Sequence, residues 1–400
     1  MHILIANVGS TSLKFKLYEF PSERLLAEGT IEAIGRAASP ASYRNERGET
    51  RRRDAAVDDY GEAIRLAVGW LTDPAVGVLA SLADLDCVGF KTVHARKVSG
   101  AVRLDEPVLQ AMRDFEGVAP LHNPIYLTAI GYFRETLPHM PLYALFETTF
   151  HQTIPPEAHS YAIPRKWRED YGIRRYGFHG ASHWYIAERV PQLLDRPAQG
   201  LRIISCHLGG SSSLCAIRDG RSVDTSMGFS PQSGVPQSAR SGELDPFVVL
   251  YLIESRGFAP EDVRQALCFE SGLKGLSGGL AADIPPLQEA AAQGSAEAQL
   301  ALDCFVYETA KSIGALWVAC GGCDVLVFTG GIGERGADIR RRVCERLECL
   351  GVRLDAERNR AVAGECTISA PDSAARVMIV PTNEEIIVAR RIAEKMAADS

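Results

Sequence analysis

The chain opens on an apolar run, Ile3-Leu4-Ile5-Ala6, short enough for a buried strand. A turn of small residues follows, Val8-Gly9-Ser10-Thr11-Ser12, and then Leu13-Lys14-Phe15-Lys16-Leu17-Tyr18 alternates strictly between apolar and polar. The pattern predicts a β-hairpin with a turn of glycine and hydroxyl residues. It returns at Arg202-Ile203-Ile204-Ser205-Cys206-His207-Leu208, with the turn Gly209-Gly210-Ser211-Ser212-Ser213 and the strand Leu214-Cys215-Ala216-Ile217-Arg218. Asn7 and His207 hold matching places just before the two turns. Two like hairpins, each opening one half of the chain, indicate an internal duplication, at a period too long for a solenoid.

A third apolar strand, Val325-Leu326-Val327-Phe328, runs into Gly330-Gly331-Ile332-Gly333-Glu334 and then a charged helical stretch over 337–350. That is the general shape of a phosphate-binding strand-to-helix junction. Near the end, Val377-Met378-Ile379-Val380 leads through Pro381-Thr382-Asn383-Glu384-Glu385 into a closing helix over 386–397, capped by Thr382 or Asn383. Strands, glycine turns and helices alternate throughout, so the expected fold class is α/β with a mixed sheet in each domain. Residues 36–58 are polar, arginine-rich and weakly periodic, and are expected to form a surface excursion.

Four hundred residues exceed one ordinary core and suit two domains. With 46% hydrophobic and 23% charged residues and a net charge of −7, the chain has no broad cationic footprint for nucleic acid or an anionic membrane. No run approaches the roughly 18–20 apolar residues of a membrane span, and the first residues lack the basic start of a signal peptide. The expectation is a cytoplasmic protein. Its ten cysteines are scattered, and Cys206, Cys215, Cys304 and Cys344 sit among apolar or helical neighbours, as small hydrophobes do. Cys320-Gly-Gly-Cys323 has the spacing of a metal or redox motif, but it has no second ligand pair and follows a helix rather than opening one. Structural cysteines are the expected reading.

Glycine- and serine-rich turns present backbone N–H groups and hydroxyls to an anion at close range. One such turn is as readily a plain hairpin; two matching turns plus Gly330-Gly331-Ile332-Gly333 suit a polyphosphate better. Histidines recur in the strings Leu121-His122-Asn123-Pro124, Phe150-His151-Gln152, Phe178-His179-Gly180-Ala181-Ser182-His183 and Cys206-His207-Leu208. Any one of them is ordinarily structural. As a set flanked by glycine and proline they fit donors to phosphoryl oxygens. His179 and His183 have the i, i+4 spacing of metal ligands, weakened by Gly180 and by the absence of an intervening glutamate. Arg240, in a loop before a helix, suits a two-bond grip on phosphate or carboxylate. Glu147 and Glu384, at expected strand ends, suit Mg²⁺.

These strings, in this order and spacing, resemble the acetate kinase family (acetate and propionate kinases), within the sugar kinase, Hsp70 and actin superfamily. The similarity runs from Asn7-Val8-Gly9-Ser10-Thr11-Ser12 through Arg240-Ser241-Gly242 to Pro381-Thr382-Asn383-Glu384-Glu385. It implies two domains of duplicated ribonuclease H-like, actin-like fold, 1–150 with 383–400 and 151–382, with a cleft between them. It also implies reversible phosphoryl transfer from ATP to a short carboxylate, giving acyl phosphate and ADP, with Mg²⁺ (or Mn²⁺), usually in a homodimer. Position by position, it puts metal binding at Asn7 and Glu384, and the first phosphate turn at Ser10, Ser12 and Lys14. Phosphoryl contacts fall to His122, His179 and His207, and active-site charge to Arg240. Val93, Leu121, Phe178 and Pro231 become the apolar pocket. The nucleotide region takes in the second phosphate turn with Gly209 and Gly210, then Asp283, Gly330, Gly331 and Ile332.

The departures are specific. Lys91 stands where the family has a second active-site arginine, losing the planar fork but keeping the charge. Glu147 replaces the family's catalytic aspartate, Gly210 an asparagine, and Pro285 an arginine near the adenine. Three readings follow: a short-chain acyl kinase; the same chemistry with pyrophosphate as donor, or acyl-phosphate hydrolysis; and a nucleotide-binding, actin-like protein without turnover. The retained histidines, metal positions and pocket favour the first.

Overall fold

The computed structural model describes residues 1–362 and 364–399. The chain divides into two compact units, Met1–Thr149 with Asn383–Ser400, and Phe150–Thr382.

The first unit is built on eight strands: β1 (His2–Gly9), β2 (Ser12–Glu19), β3 (Arg24–Ile31), β4 (Ser39–Asn45), β5 (Thr50–Ala55), β6 (Cys87–Thr92), β7 (Ala101–Arg103) and β8 (Leu142–Phe146). Their order across the sheet is β5-β4-β3-β2-β1-β6-β8-β7. Neighbours from β5 to β1 are antiparallel, whereas β1, β6 and β8 run parallel. Helices α1 (Tyr60–Leu71) and α2 (Asn123–Thr136) contribute to one apolar core on this sheet.

The second unit carries six more strands: β9 (Arg202–His207), β10 (Ser213–Arg218), β11 (Arg221–Thr225), β12 (Val325–Thr329), β13 (Cys366–Thr367) and β14 (Arg376–Ile379). They are ordered β11-β10-β9-β12-β14-β13. Helix α3 (Gly180–Leu194) packs on β9, and the long α4 (Ala296–Cys320) crosses β9, β10 and β11. The short α5 (Gly330–Arg335) and α6 (Ala337–Arg346) follow β12. The closing helix α7 (Glu384–Asp399) belongs to the first unit and packs on β1, β6, β7 and β8. Gly89 on β6 leaves room beneath it for the Ile392 side chain, since a Cβ there would crowd the Ile392 and Ile5 Cδ1 atoms.

In each sheet an antiparallel hairpin and a third strand precede two parallel strands, β3-β2-β1-β6-β8 in one and β11-β10-β9-β12-β14 in the other. The duplicated α/β, actin-like architecture is therefore present in the strand order itself. The parallel strands end on one edge in each unit, and in open α/β sheets that edge holds ligands.

Several expectations are corrected. Residues 36–58 are not a surface excursion: they contain β4 and β5, which extend the sheet. β4 alternates fully, with Ser39, Ala41, Tyr43 and Asn45 turned inward. The pattern was masked because Ser39 and Asn45, two of the four inward residues, are polar, each satisfied by hydrogen bonds to backbone groups. The first hairpin turn is only Ser10-Thr11, between Gly9 and Ser12, whereas the second spans five residues between His207 and Ser213. Glu384 does not end a strand; it is the first residue of α7, where a carboxylate suits the helix macrodipole. Asn383 accepts from the Ile386 N–H at 3.3 Å, so it is the cap of the two candidates.

Cys320 and Cys323 are buried free thiols. Cys320 ends α4, and Gly321 closes the helix in the left-handed conformation.

Candidate active site

The candidate residues form two groups, one in each unit. In the first, the parallel strands bring Asn7, Lys91 and Glu147 to one edge. The register Ala6–Phe90 makes Asn7 and Lys91 the next positions on β1 and β6, and Thr92 pairs with Phe146. Glu147 follows β8 directly, its N–H donating to the Thr92 carbonyl at 2.8 Å.

Lys91 Nζ is bonded to Glu384 Oε2 and lies 3.4 Å from Glu147 Oε1. The three side chains are 18%, 12% and 5% exposed, so this is a nearly buried triad of one ammonium and two carboxylates. Burial alone would lower the Lys91 pKa, but Glu384 and Glu147 outweigh it and hold it well above its usual value. Tyr126 completes the cluster. Its buried hydroxyl is hydrogen-bonded to the Val8 backbone, and burial pushes its pKa up to about 12.

His122 sits at the N-terminus of α2, without a side-chain cap bond. The buried Asn123 amide donates to the carbonyls of His94 and Met112, both at 2.9 Å, and fixes how the chain enters the helix. His94 itself is buried edge-on against Phe115, and burial lowers its pKa to about 3. Val93 and Leu121 are half-buried. Lys14 is exposed on β2 opposite Asn7, Ser10 lies in the exposed turn, and Ser12 closes it.

In the second unit His179 caps α3 in the left-handed conformation, φ +54°, an uncommon state for a residue with a side chain. Its ring stacks on that of His207, with centroids 4.3 Å apart and planes at 23°. His179 Nδ1 is 2.8 Å from Ser213 Oγ, and His207 Nδ1 is 2.8 Å from Ser182 Oγ.

Arg240 donates to Ser211 Oγ and Gln237 Oε1, both at 3.3 Å, and to the Pro231 carbonyl at 3.4 Å. Gln237 in turn donates to that carbonyl at 2.9 Å. This web ties the second glycine turn to the buried Pro231. Phe178, 2% exposed, lies just before His179. Ser212 Oγ accepts from the Gly209 N–H and donates to the Gly209 carbonyl, and Gly210 accepts from the Ser238 N–H.

Gly330 has φ +76°, and a Cβ there would meet the Leu208 carbonyl oxygen at 2.7 Å. The same carbonyl accepts from the N–H groups of Ile332 and Gly333, so two amides of that helix start are already committed within the fold. Asp283 is the exposed residue before the helix Ile284–Ala292, and Pro285 lies in its first turn, a position that proline suits.

The reading of all the histidine strings as phosphoryl donors is corrected for His151 and His183. Both are fully buried. His151 is bonded to Ser222 Oγ at 2.9 Å and to the Phe178 carbonyl at 3.0 Å, and burial lowers its pKa to about 4. His183 spends both ring nitrogens on Ser205 and Ser213, and burial, with His151 and His207 nearby, holds its pKa well below the usual range. That also removes His179 and His183 as a metal pair.

Three features escaped the sequence reading. Tyr126 lies outside every motif string, so nothing in the sequence singles it out. Ser205 and Ser213 looked like strand and turn residues. Arg340 is 1% exposed and donates at 2.8 Å to the carbonyls of Gly333, Glu334 and Asn359 and to Asn359 Oδ1. It pins the end of α5 without any carboxylate, and its partners lie too far apart in sequence to signal it.

Among the described residues no group of three or more His, Cys, Asp or Glu side chains is arranged to hold a metal ion. Asn7, Glu147 and Glu384 nonetheless offer only oxygen donors. Such a set suits Mg²⁺, which takes one or two carboxylates and completes its shell with water and phosphate oxygens.

The profile of the Acetokinase family matches residues 2–390. The chain belongs to the acetokinase family. It is 40% identical over 390 residues to acetate kinase of Desulfitobacterium hafniense (strain DSM 10664 / DCB-2), covering 97% of this chain and 98% of that protein. It is 41% identical over 393 residues to acetate kinase of Dictyoglomus turgidum (strain DSM 6724 / Z-1310), covering 98% and 96%. Among solved structures, acetate kinase of Porphyromonas gingivalis superposes with a TM-score of 0.86 at 34% identity, covering 99% of each chain. A propionate kinase of Francisella tularensis subsp. tularensis SCHU S4 superposes with a TM-score of 0.88 at 31% identity, covering 98% of each chain. The fold of this family member is thus that of acetate and propionate kinases from end to end.

Proposed function

We propose that this chain is a short-chain acyl kinase that reversibly transfers the γ-phosphoryl group of ATP to acetate or propionate, giving acyl phosphate and ADP. Whole-length membership in the acetokinase family carries the reading.

The chemistry suits the residues. A carboxylate is ionised at pH 7 and needs no strong base. Its oxygen attacks the γ-phosphorus as the bond to the β–γ bridging oxygen breaks, and ADP leaves with that electron pair. Catalysis then rests on in-line positioning and on cancelling charge at the transferring oxygens. Arg240, with Lys91, supplies fixed positive charge, and His122, His179 and His207 supply ring N–H donors. Glu147 is the catalytic-site carboxylate and holds Lys91 in place.

Ser10, Ser12, Lys14, Gly209 and Gly210 are the candidate phosphate contacts, and Asp283, Gly330, Gly331 and Ile332 the candidate nucleotide contacts. Val93 and Leu121 in the first unit, and Phe178 and Pro231 in the second, are the apolar candidates for the methyl end of the acid. Asn7 and Glu384, the latter shared with Lys91, would hold Mg²⁺ or Mn²⁺; the ion supplies charge neutralisation on the phosphate oxygens.

The protein is proposed to act in the cytoplasm as a homodimer. Among the described residues no helix is long and apolar enough to cross a membrane. Phe247, Tyr251 and Phe258 are 72%, 56% and 50% exposed along one stretch of the second unit, an apolar surface of the kind that a second copy covers.

Trapping acyl phosphate as the hydroxamate, with acetate, propionate and butyrate and with ATP or pyrophosphate as donor, tests the reading. The expected result is ATP- and Mg²⁺-dependent product with acetate or propionate. Product from pyrophosphate alone would move the assignment to the other donor, and nucleotide binding without product would leave a non-catalytic family member.

A further inference from the structure

We propose that the buried series Ser205–His183–Ser213 fixes the tautomer of His179, leaving the proton of the neutral imidazole on Nε2. Ser213 and His183 are thereby positioning residues of the phosphoryl transfer proposed above, on which this role rests.

The argument is a count of protons. Ser205, His183 and Ser213 are each 0% exposed. The contacts run in line: Ser205 Oγ to His183 Nδ1 at 2.9 Å, His183 Nε2 to Ser213 Oγ at 2.9 Å, and Ser213 Oγ to His179 Nδ1 at 2.8 Å. His183 is neutral, because burial holds its pKa well below the usual range, so it carries one ring proton.

Among the described residues the Ser205 hydroxyl has this single partner. If His183 donated from Nδ1, the Ser205 O–H would be a buried donor with no acceptor, which costs about 1–3 kcal/mol. Ser205 therefore donates to His183 Nδ1, and the His183 proton sits on Nε2, where it donates to Ser213 Oγ. The Ser213 hydroxyl has only His179 left to receive its own proton. His179 Nδ1 is then an acceptor, and Nε2 carries the N–H. Every proton in the series is used, and only this direction uses them all.

The neighbouring ring obeys the same logic. Among the described residues the buried Ser182 hydroxyl has one side-chain partner, His207 Nδ1 at 2.8 Å, so Ser182 donates and His207 likewise keeps its proton on Nε2. Two stacked neutral imidazoles then each offer an N–H. A phosphoryl oxygen has lone pairs and no proton, and can use only that form of a neutral histidine. The left-handed backbone of His179 is consistent with a residue held in place by such partners.

The test uses the full chain labelled with ¹⁵N-histidine, with long-range ¹H–¹⁵N spectra read near neutral pH beside the hydroxamate assay. His179 and His183 are expected to show protonated Nε2 and bare Nδ1. Ser213→Ala is expected to mix the His179 tautomers and lower kcat on the order of a hundredfold, the scale for losing one oriented donor, with KM for ATP little changed. Ser213→Thr, which keeps the hydroxyl, restores both. A wild-type His179 protonated on Nδ1, or a Ser213→Ala protein with unchanged tautomer, overturns the proposal. Should Ser213→Ala not fold, Ser205→Ala serves at the far end of the series: the His183 and His179 signals are expected to mix, and unchanged signals overturn it. A wild-type protein that forms no acyl phosphate would instead overturn the kinase reading, with the tautomer measurement still standing.

Discussion

Replacing Lys91 with methionine removes the ammonium from between two carboxylates and nearly preserves side-chain length. At 3.4 Å, one unit-charge pair interacts by about 5 kcal/mol at an effective dielectric of about 20. Desolvation offsets much of that in the intact triad, so the triad itself is not a large source of stability. Breaking it is a different matter, since it leaves two carboxylates facing each other with little solvent. We expect Lys91→Met to lose about 3–5 kcal/mol in urea unfolding at pH 8.

The loss should depend on pH, with a definite sign. In the variant, the Glu147–Glu384 repulsion raises a carboxyl pKa in the folded state above its unfolded value near 4.3. A raised pKa favours folding below the unfolded value, and that benefit is lost as pH rises through the folded value. The gap between variant and wild type should therefore narrow at pH 5 and widen at pH 8. Adding Glu147→Gln to Lys91→Met should recover part of the loss, with a coupling of about 0.5–3 kcal/mol. A Lys91→Met protein that loses less than about 1 kcal/mol at both pH values would show the triad to be screened by solvent and refute this reasoning.

Three further outcomes are expected. Burial lowers the pKa of His151 to about 4 and of His94 to about 3, and holds that of His183 well below the usual range. The stability gained by keeping them neutral is full above pH 6.5 and is lost as pH falls through the folded values. His151 alone accounts for on the order of 3 kcal/mol, and urea midpoints at pH 7.5 and 5 check it, a flat profile being contrary. Gly330→Ala should lose at least about 1 kcal/mol and weaken ATP binding, because its φ is +76° and its Cβ would meet the Leu208 carbonyl oxygen at 2.7 Å; Gly210→Ala, with 3.5 Å to Ser238 Oγ, should fold normally. Phe247→Glu with Tyr251→Glu should shift sedimentation toward the monomer if this exposed face is the dimer contact.

The hairpins at Asn7 and His207 were visible in the sequence because their residues alternate or run apolar at strand length, and the strand-to-glycine step at Gly330 because only glycine meets its backbone demand. β4 was hidden because its inward Ser39 and Asn45 are polar and satisfied by hydrogen bonds, and β5 because it is almost wholly polar and buries no residue, so no apolar period marks either. The candidate site divides in the same way. Motif strings exposed His122, His179, His207, Arg240 and Glu384. They did not separate His183, which is part of the support, from His179, which it supports, because that distinction lies in burial and in which serine meets which nitrogen. The two departures at Lys91 and Glu147 read as separate losses along the chain, yet they are neighbours in space, where the longer carboxylate meets the lysine at 3.4 Å.

The claim that this family member turns over phosphoryl groups is tested most directly by ³¹P NMR of the protein with ATP, Mg²⁺ and acetate or propionate. The account predicts that an acyl phosphate signal grows as the γ-phosphorus of ATP declines, and that ADP with acetyl phosphate regenerates ATP. Bound ATP that stays intact, or that yields only inorganic phosphate, would contradict it.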